Sequence, residues 1–387
     1  MNRSAPVIAI VAGEASGDNL GAALISELRA RLPGVRFIGV PGRRMREAGC
    51  EALASSDELA LMGLFEIIRQ LPRLIRLRHR LKVELLKIKP DVFIGIDAPE
   101  FNLGLARLLK ANGLPTVQYV SPQVWAWRQG RVRTISNSVD KILCLLPFEP
   151  AFYREYGVQA VFVGHPLADQ YTLEPDRAAA RLELGLKEQD QVVAVLPGSR
   201  LGEVVRLTKT FAATAVWLNQ RRPGIQFISP LASADTRMHF INQWSKHTEI
   251  PVKCFDGQSG LVLAAADVVL VASGTATLEA LLTQRPMVVA YRLSLLTAFI
   301  LKSFGLVKIK YFSQPNLLLG RDCVPEFFQN RATPTALGEA LLAWLDGSRD
   351  VEALQAEFKT VHQQLRCNGA SLAAAAVIDL IDLDTTY

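Results

Sequence analysis

The sequence predicts an α/β protein built from two doubly wound domains. Three observations lead there. The chain has 387 residues, half of them hydrophobic and 21% charged, which is length enough for two buried cores and the balance of a folded globular protein. Apolar runs of strand length alternate with longer helical patterns along most of it. Those runs are unbroken, as expected of strands covered on both faces in a parallel sheet.

The elements follow in two series. "VIAIVA" (7–12), "RFIGV" (36–40), "DVFIGI" (91–96), "TVQYV" (116–120), "KILCLL" (141–146) and "AVFV" (160–163) form the first. "QVVAVL" (191–196), "IQFIS" (225–229), "PVKCF" (251–255), "DVVLVA" (267–272) and "PMVVA" (286–290) form the second. Between them "GHPLADQYTLEPDRAAAR" (164–181) interrupts the alternation with proline and polar residues and reads as the joint. From about 334 onward the strands stop and three helical patterns follow one another. The expected domains are therefore 1–168 and 169–345, with 346–387 as terminal helices.

A formal charge of +6 suits a nucleic acid, an anionic membrane surface or phosphorylated substrates alike. Five scattered cysteines without a C-x-x-C pair argue against a disulfide framework or zinc site and fit a reducing compartment. The five histidines show no metal-ligand spacing, so no metal is expected; His165, in "FVGHP", either reaches a cleft or is structural. The only D-x-D, Asp382–Asp384, sits in the extreme tail. No secretory leader pattern and no membrane-spanning run of about 18–20 apolar residues is visible. Any membrane contact is expected to be peripheral.

Ligands of doubly wound sheets sit at the carboxyl ends of strands, and four such ends carry suggestive residues. In "LPGSRLGEV" (196–204), Gly198 lets a ligand approach the backbone, Ser199 offers a hydroxyl and Arg200 can fork onto phosphate oxygens. An ordinary strand–helix turn with a surface arginine is the alternative. The following helix is expected to bury Val204, Val205, Leu207, Phe211 and Leu218. In "VASGTATLEAL" (271–281), Ser273, Gly274 and Thr275 can donate at a helix N-terminus, and Glu279 can hold vicinal hydroxyls such as a ribose or simply favour the helix dipole. Asn316, in "YFSQPNLL", could add to that site. In "DVFIGIDAPEFNLGLA" (91–106), Asp97 follows a buried strand, where a carboxylate can take a proton from an alcohol or cap a turn. In "IVAGEASGDNLG" (10–21) the glycine spacing matches neither G-x-G-x-x-G nor a P-loop, and Glu14, Ser16 and Asp18 suit hydroxyl groups better than phosphate. Asp18 could equally be a helix cap.

Two further stretches stand out. "YVSPQVWAWRQGRVR" (119–133) sets Trp125 and Trp127 beside Arg128, Arg131 and Arg133, as an acceptor loop or a packed loop with a basic rim. In "LMGLFEIIRQLPRLIRLRHRLKVEL" (61–85), Leu64, Ile67, Ile68, Leu71, Leu74 and Ile75 make a helical stripe that leaves Phe65 and Leu77 outside it. Residues 69–82 hold six Lys/Arg and no acid. Phe65, Arg69, Arg73, Arg76 and Leu77 are thus candidates for contact with an anionic membrane, against a solvated basic face on a core helix.

In this order, "IVAGEASGDNLGA", "GIDAPEFN", "YVSPQVWAWR", "LPGSRLGEV", "ASGTATLEAL", "PNLL" and "HQQLRCN" closely resemble the lipid-A-disaccharide synthases, from residue 10 to about 368. Single motifs are weak; the ordered set is specific. Glu100, Gln123 and Thr277 depart from the family's usual aspartate, serine and alanine. The resemblance implies an inverting, metal-independent glycosyltransferase of the GT-B fold without a cofactor. In that fold two Rossmann-like domains face a cleft, and the final helices return to the first. It further implies transfer from UDP-2,3-diacylglucosamine to the 6-hydroxyl of 2,3-diacylglucosamine 1-phosphate, giving a β-1,6-linked disaccharide 1-phosphate and UDP in lipid A biosynthesis. Asp97 would be the base, and Gly198, Ser199, Arg200, Ser273, Gly274, Thr275, Glu279 and Asn316 would hold the UDP-sugar. Glu14, Ser16 and Asp18 would line the acceptor side. Such an enzyme works in the cytoplasm against the inner leaflet of the inner membrane, binds no nucleic acid, and could form a homodimer. The alternatives are another GT-B enzyme (the peptidoglycan N-acetylglucosaminyltransferase or a UDP-sugar epimerase) or a membrane-associated nucleotide-binding protein without activity.

Overall fold

A computed structural model describes residues 5–59, 64–122, 124, 132–293 and 310–381, apart from the side chains of 57 and 64–70. It divides into two compact units, residues 1–169 with 365–387 and residues 170–364.

The first unit runs β1 (Val7–Ala12), α1 (Ala15–Arg31), β2 (Arg36–Val40), α2 (Arg43–Glu47), β3 (Cys50–Ala52), α3 (Leu64–Ile88), β4 (Val92–Ile96), α4 (Pro99–Lys110), β5 (Thr116–Tyr119), α5 (Val132–Ser136), β6 (Lys141–Cys144), α6 (Glu149–Arg154), β7 (Gln159–Phe162) and α7 (Pro166–Gln170). Its strands form a parallel sheet in the order β3-β2-β1-β4-β5-β6-β7. Strands β1 and β4 are buried along almost their whole length because helices cover both faces of the sheet. One face packs Leu24, Ile25 and Leu28 of α1 onto Ile8, Ile10 and Ile94. The other packs Leu74, Leu77, Leu81 and Leu85 of α3 onto Ala9, Val11 and Phe93.

The second unit runs α8 (Arg177–Glu183), β8 (Val192–Leu196), α9 (Leu201–Arg221), β9 (Gln226–Leu231), α10 (Ala234–His247), β10 (Val252–Asp256), α11 (Ser259–Ala265), β11 (Val268–Ala272), α12 (Thr275–Leu282) and β12 (Met287–Tyr291). It continues through α13 (Gln314–Leu319), β13 (Glu326–Phe328), α14 (Pro334–Leu345) and α15 (Val351–Leu365). The sheet order is β10-β9-β8-β11-β12-β13, again parallel. The chain then re-enters the first unit as α16 (Gly369–Ile378), which packs against α1.

Three expectations change here. The return falls at Leu365, not 346, because α15 is held within the second unit by an Arg321–Glu357 ion pair, by Lys359–Glu174 at 3.1 Å and by Gln355 donating to the Gln284 carbonyl. Val205 is 47% exposed, whereas Val204, Leu207, Phe211 and Leu218 are buried. On α3 the inward face is Leu74, Leu77, Leu81 and Leu85, spaced by three and four residues. Leu77 is therefore core and no candidate for membrane contact, while Leu71 and Ile75 are about half exposed.

Candidate active site

In each sheet the strand order reverses beside the first strand of the unit, so consecutive crossovers leave in opposite directions and open a crevice at the carboxyl edge. The motif loops are at these two places.

In the first unit β1 pairs with β4, with Ala12 opposite Ile96. The loop after β1 therefore lies beside the loop after β4. Contact is close: a Cβ on Gly13 would stand 2.5 Å from the Ala98 Cβ, so only glycine fits. Ser16, exposed in the first turn of α1, donates its hydroxyl to Asp97 Oδ2 at 2.9 Å. Asp97 is partly exposed, and its backbone is left-handed with φ 55°. The Asp97 N–H donates to the Tyr119 carbonyl at 3.0 Å, tying it to the next strand. Glu14 occupies the N-cap of α1 with an exposed side chain that makes no capping bond.

Asp18 is different. It is 8% exposed, and its carboxylate accepts the Arg44 and Met45 N–H groups at 2.8 and 3.0 Å. These are orphan donors at the start of α2, so Asp18 caps a neighbouring helix and does not line an acceptor site. His165 is likewise engaged in structure: its Nδ1 accepts the Leu167 N–H at 3.2 Å. Burial pushes its pKa down to about 4 although Asp169 pulls the other way.

In the second unit Leu196 of β8 pairs with Val271 of β11, which sets residues 197–200 beside residues 273–275. Gly198 has φ 119°, and a Cβ there would meet the Glu203 side chain at 2.4 Å. The turn is thus closed to any other residue without rearrangement. Arg200 starts α9, with its N–H toward Glu203 Oε2 at 3.4 Å. Its side chain, like Ser199, is exposed, and among the described residues it has no carboxylate partner. Gly274, at φ 148° with open space on its Cβ side, is the N-cap of α12, and Thr275 is exposed at the first helical position. The free N–H groups of that end and the Arg200 guanidinium make an electropositive edge.

Glu279 is anchored from two sides. Tyr171 donates its phenol to Oε1 at 2.9 Å and Ser259 its hydroxyl to Oε2 at 3.2 Å. Burial, then the Glu279 charge, raise the Tyr171 pKa, so the phenol stays a donor. Each carboxylate oxygen keeps a further lone pair for a ligand hydroxyl. Ser273 spends its hydroxyl on the Phe312 carbonyl at 2.6 Å.

Asn316 does not face a ligand. It is fully buried; its Nδ2 donates to Val324 O and Glu326 Oε1, and its Oδ1 accepts the Cys323 and Val324 N–H groups at 2.8 and 2.9 Å. Glu326 also accepts the Phe312 and Ser313 N–H groups at 3.0 and 2.9 Å. Asn316 and Glu326 thus fasten the 311–326 loop, including the carbonyl that holds Ser273. Phe65 and Arg69 lie on α3 with side chains outside the described residues, as do Gln123, Trp125, Trp127, Arg128 and Arg131 entirely. Arg73 and Arg76 are exposed. No group of three His, Cys, Asp or Glu among the described residues is arranged to hold a metal.

The family model described as lipid-A-disaccharide synthetase matches residues 8–377. A lipid-A-disaccharide synthase of Alcanivorax borkumensis is 48% identical over 380 residues, covering 98% of this chain and 99% of the relative. The chain belongs to the lipid-A-disaccharide synthase family. Another such synthase, from Alkalilimnicola ehrlichii, is 50% identical over 374 residues, 96% of this chain and 97% of its own. Among solved structures, a UDP-GlcNAc 2-epimerase from Neisseria meningitidis superposes with a TM-score of 0.59 at 12% identity, covering 97% of this chain and 98% of that one. MurG of Acinetobacter baumannii gives 0.57 at 12% identity over 97% and 99%. The calicheamicin glycosyltransferase CalG4 gives 0.61 at 14% identity over 99% and 100%. At such identities these establish the fold, which the chain shares with GT-B glycosyltransferases. The sequence alone did not single out Tyr171, Ser259, Glu326, Asn102 or Gln118. Tyr171 lies in the joint, Ser259 opens a plain helix, Gln118 sits inside a buried strand and Asn102 inside the helix that follows Asp97.

Proposed function

We propose that the chain is a lipid-A-disaccharide synthase, an inverting glycosyltransferase that joins UDP-2,3-diacylglucosamine to 2,3-diacylglucosamine 1-phosphate and releases UDP. The observation that carries this is identity near 48% with curated synthases along almost the whole chain. The geometry supports it. Asp97, partly exposed and oriented by Ser16, takes the proton of the acceptor 6-hydroxyl as its oxygen bonds to the anomeric carbon. The bond from that carbon to the β-phosphate oxygen breaks, the electron pair stays on UDP, and the single displacement inverts the centre. Arg200 and the free N–H groups at the start of α12 stabilise the charge growing on the diphosphate. Glu279 holds the ribose hydroxyls.

The acylated substrates need a lipid surface. Leu71 and Ile75 are exposed on α3 beside Arg73 and Arg76, a combination suited to an anionic bilayer interface. Among the described residues no helix is long and apolar enough to cross a membrane. In this reading the enzyme docks on the inner leaflet of the inner membrane from the cytoplasm.

The test is incubation with UDP-diacylglucosamine, with and without the monosaccharide 1-phosphate, and identification of products by mass. Disaccharide 1-phosphate and UDP should form only with acceptor present. Asp97→Asn should lower turnover by at least about 1,000-fold and leave UDP binding intact. Retained turnover removes Asp97 from the role of base.

A further inference from the structure

Asp97 and Ala98 are consecutive non-glycine residues with positive φ, 55° and 39°. Left-handed backbone at two such positions persists only where its surroundings enforce it. Here the enforcement is visible. Asn102 Nδ2 donates to the carbonyls of Val11, Ile96 and Asp97 at 3.3, 3.1 and 2.9 Å. Gln118 Nε2 donates to the carbonyls of Asp97, Tyr119 and Val120 at 3.1, 3.3 and 3.4 Å. The Asp97 carbonyl therefore receives both amides, one from α4 and one from β5. All five carbonyls can only accept, which fixes the NH2 end of each side chain toward them.

The arrangement has a cost that packing alone does not explain. Asn102 and Gln118 are both fully buried, and among the described residues their amide oxygens, Oδ1 and Oε1, have no hydrogen-bond partner. Buried acceptors left unpaired disfavour the fold, and an apolar side chain of similar shape would avoid them. What the amides supply instead is a fixed position for the Asp97 main chain, while Ser16 holds the carboxylate itself at 2.9 Å.

We propose that Gln118 and Asn102 are positioning residues that lock the Asp97 backbone in its left-handed conformation and so aim the carboxylate at the acceptor hydroxyl. The proposal rests on the reading of Asp97 as the base. Neither amide touches substrate; both act through the Asp97 carbonyl.

The experiment uses the full chain with both natural substrates. Gln118→Met removes the donor and the unpaired oxygen together, so folding is spared while the clamp is released. Its kcat should fall about 10- to 100-fold, the cost of misplacing a reacting group by about 1 Å. KM for UDP-diacylglucosamine should stay within about twofold, since the donor site lies in the other unit. Adding Ala98→Gly, which accepts positive φ without strain, should restore part of the lost kcat. Asn102→Ala is carried in parallel, so that if one variant misfolds the other decides. An unchanged kcat in a folded variant overturns the proposal. So does a loss of activity that follows only the folded fraction and is not recovered by Ala98→Gly. The base assignment fails separately, through retained turnover in Asp97→Asn; loss there with normal Gln118→Met and Asn102→Ala rates removes the clamp alone.

Discussion

At the scale of single residues, the two sites differ in how their carboxylates are held. Among the described residues Asp97 has one side-chain partner and a constrained main chain, whereas Glu279 is held by two hydroxyls, Tyr171 and Ser259. Tyr171→Phe deletes one donor and leaves the other. A hydrogen bond of this kind contributes about 1 kcal/mol, so KM for the UDP-sugar should rise roughly fivefold with kcat little changed. Steady-state kinetics at saturating acceptor would check this, and an unchanged KM would detach Tyr171 from donor binding. Asp97, Arg200 and Glu279, proposed above as base, diphosphate ligand and ribose ligand, were visible as candidates because each lies shortly after an unbroken apolar strand. Their supports were not: Gln118 lies within "TVQYV", where one polar residue in a strand carries no signal of direction. Asn316 and Asp18 misled for a related reason. An amide or carboxylate in a loop looks the same in sequence whether it meets a ligand or the backbone of its own chain.

At the scale of elements, β1 and β2 match the predicted runs residue for residue, because each is a short, mainly apolar run bracketed by turn residues, Pro6 and Gly13 around the first and Gly34 and Pro41 around the second. Strands β3 and β13 escaped prediction, being three residues each and containing a glutamate. α3 shows why a periodic stripe needs its partner surface. Apolar residues circle much of that helix, and the sheet, not the pattern, selects Leu77 over Leu71 and Ile75. The outward pair offers a direct test. Leu71→Asp with Ile75→Asp should abolish co-sedimentation with vesicles containing phosphatidylglycerol, with little change in thermal stability, because both positions are solvent-facing. α2 depends on a residue outside itself. Asp18→Ala leaves two of its N–H groups without a side-chain acceptor and should destabilise the protein by about 1–2 kcal/mol in urea unfolding, with KM for acceptor unaltered. A changed KM with unchanged stability would return Asp18 to the substrate.

At the scale of the whole molecule, the chain crosses between units twice, and the two passages are stitched together inside the first unit. The His165 N–H donates to the Leu365 carbonyl at 2.9 Å, and Asp169 accepts the Asn368 and Gly369 N–H groups at 3.0 and 2.9 Å. The burial of the His165 ring beside this junction makes stability sensitive to acid. His165 has a folded pKa near 4 against about 6.5 unfolded. Below pH 6.5 the unfolded chain takes up a proton that the folded one refuses, so the His165 contribution is complete above that pH and is lost toward pH 4. His165→Asn should therefore flatten the dependence of the melting temperature on pH between about 4 and 6.5. The crossing near residue 170 was legible from its prolines and polar residues. The return at 365 was not, because α15 is an amphipathic helix and α16 an alanine-rich one, and neither pattern says which unit the helix packs on.

Helix α16 sets an order of events during synthesis. It supplies Ala373, Ala374, Ala376 and Val377 to the core around Leu24 and Leu28, and its Ala376 carbonyl takes the buried ammonium of Lys141 at 2.8 Å. On the ribosome every residue of the second unit emerges before these arrive. The unit begun first is completed last, so a nascent chain released before residue 365 leaves part of its first core uncovered and its lysine without that acceptor. Premature termination near the end of the message then yields a species that chaperones and proteases can distinguish from the finished enzyme.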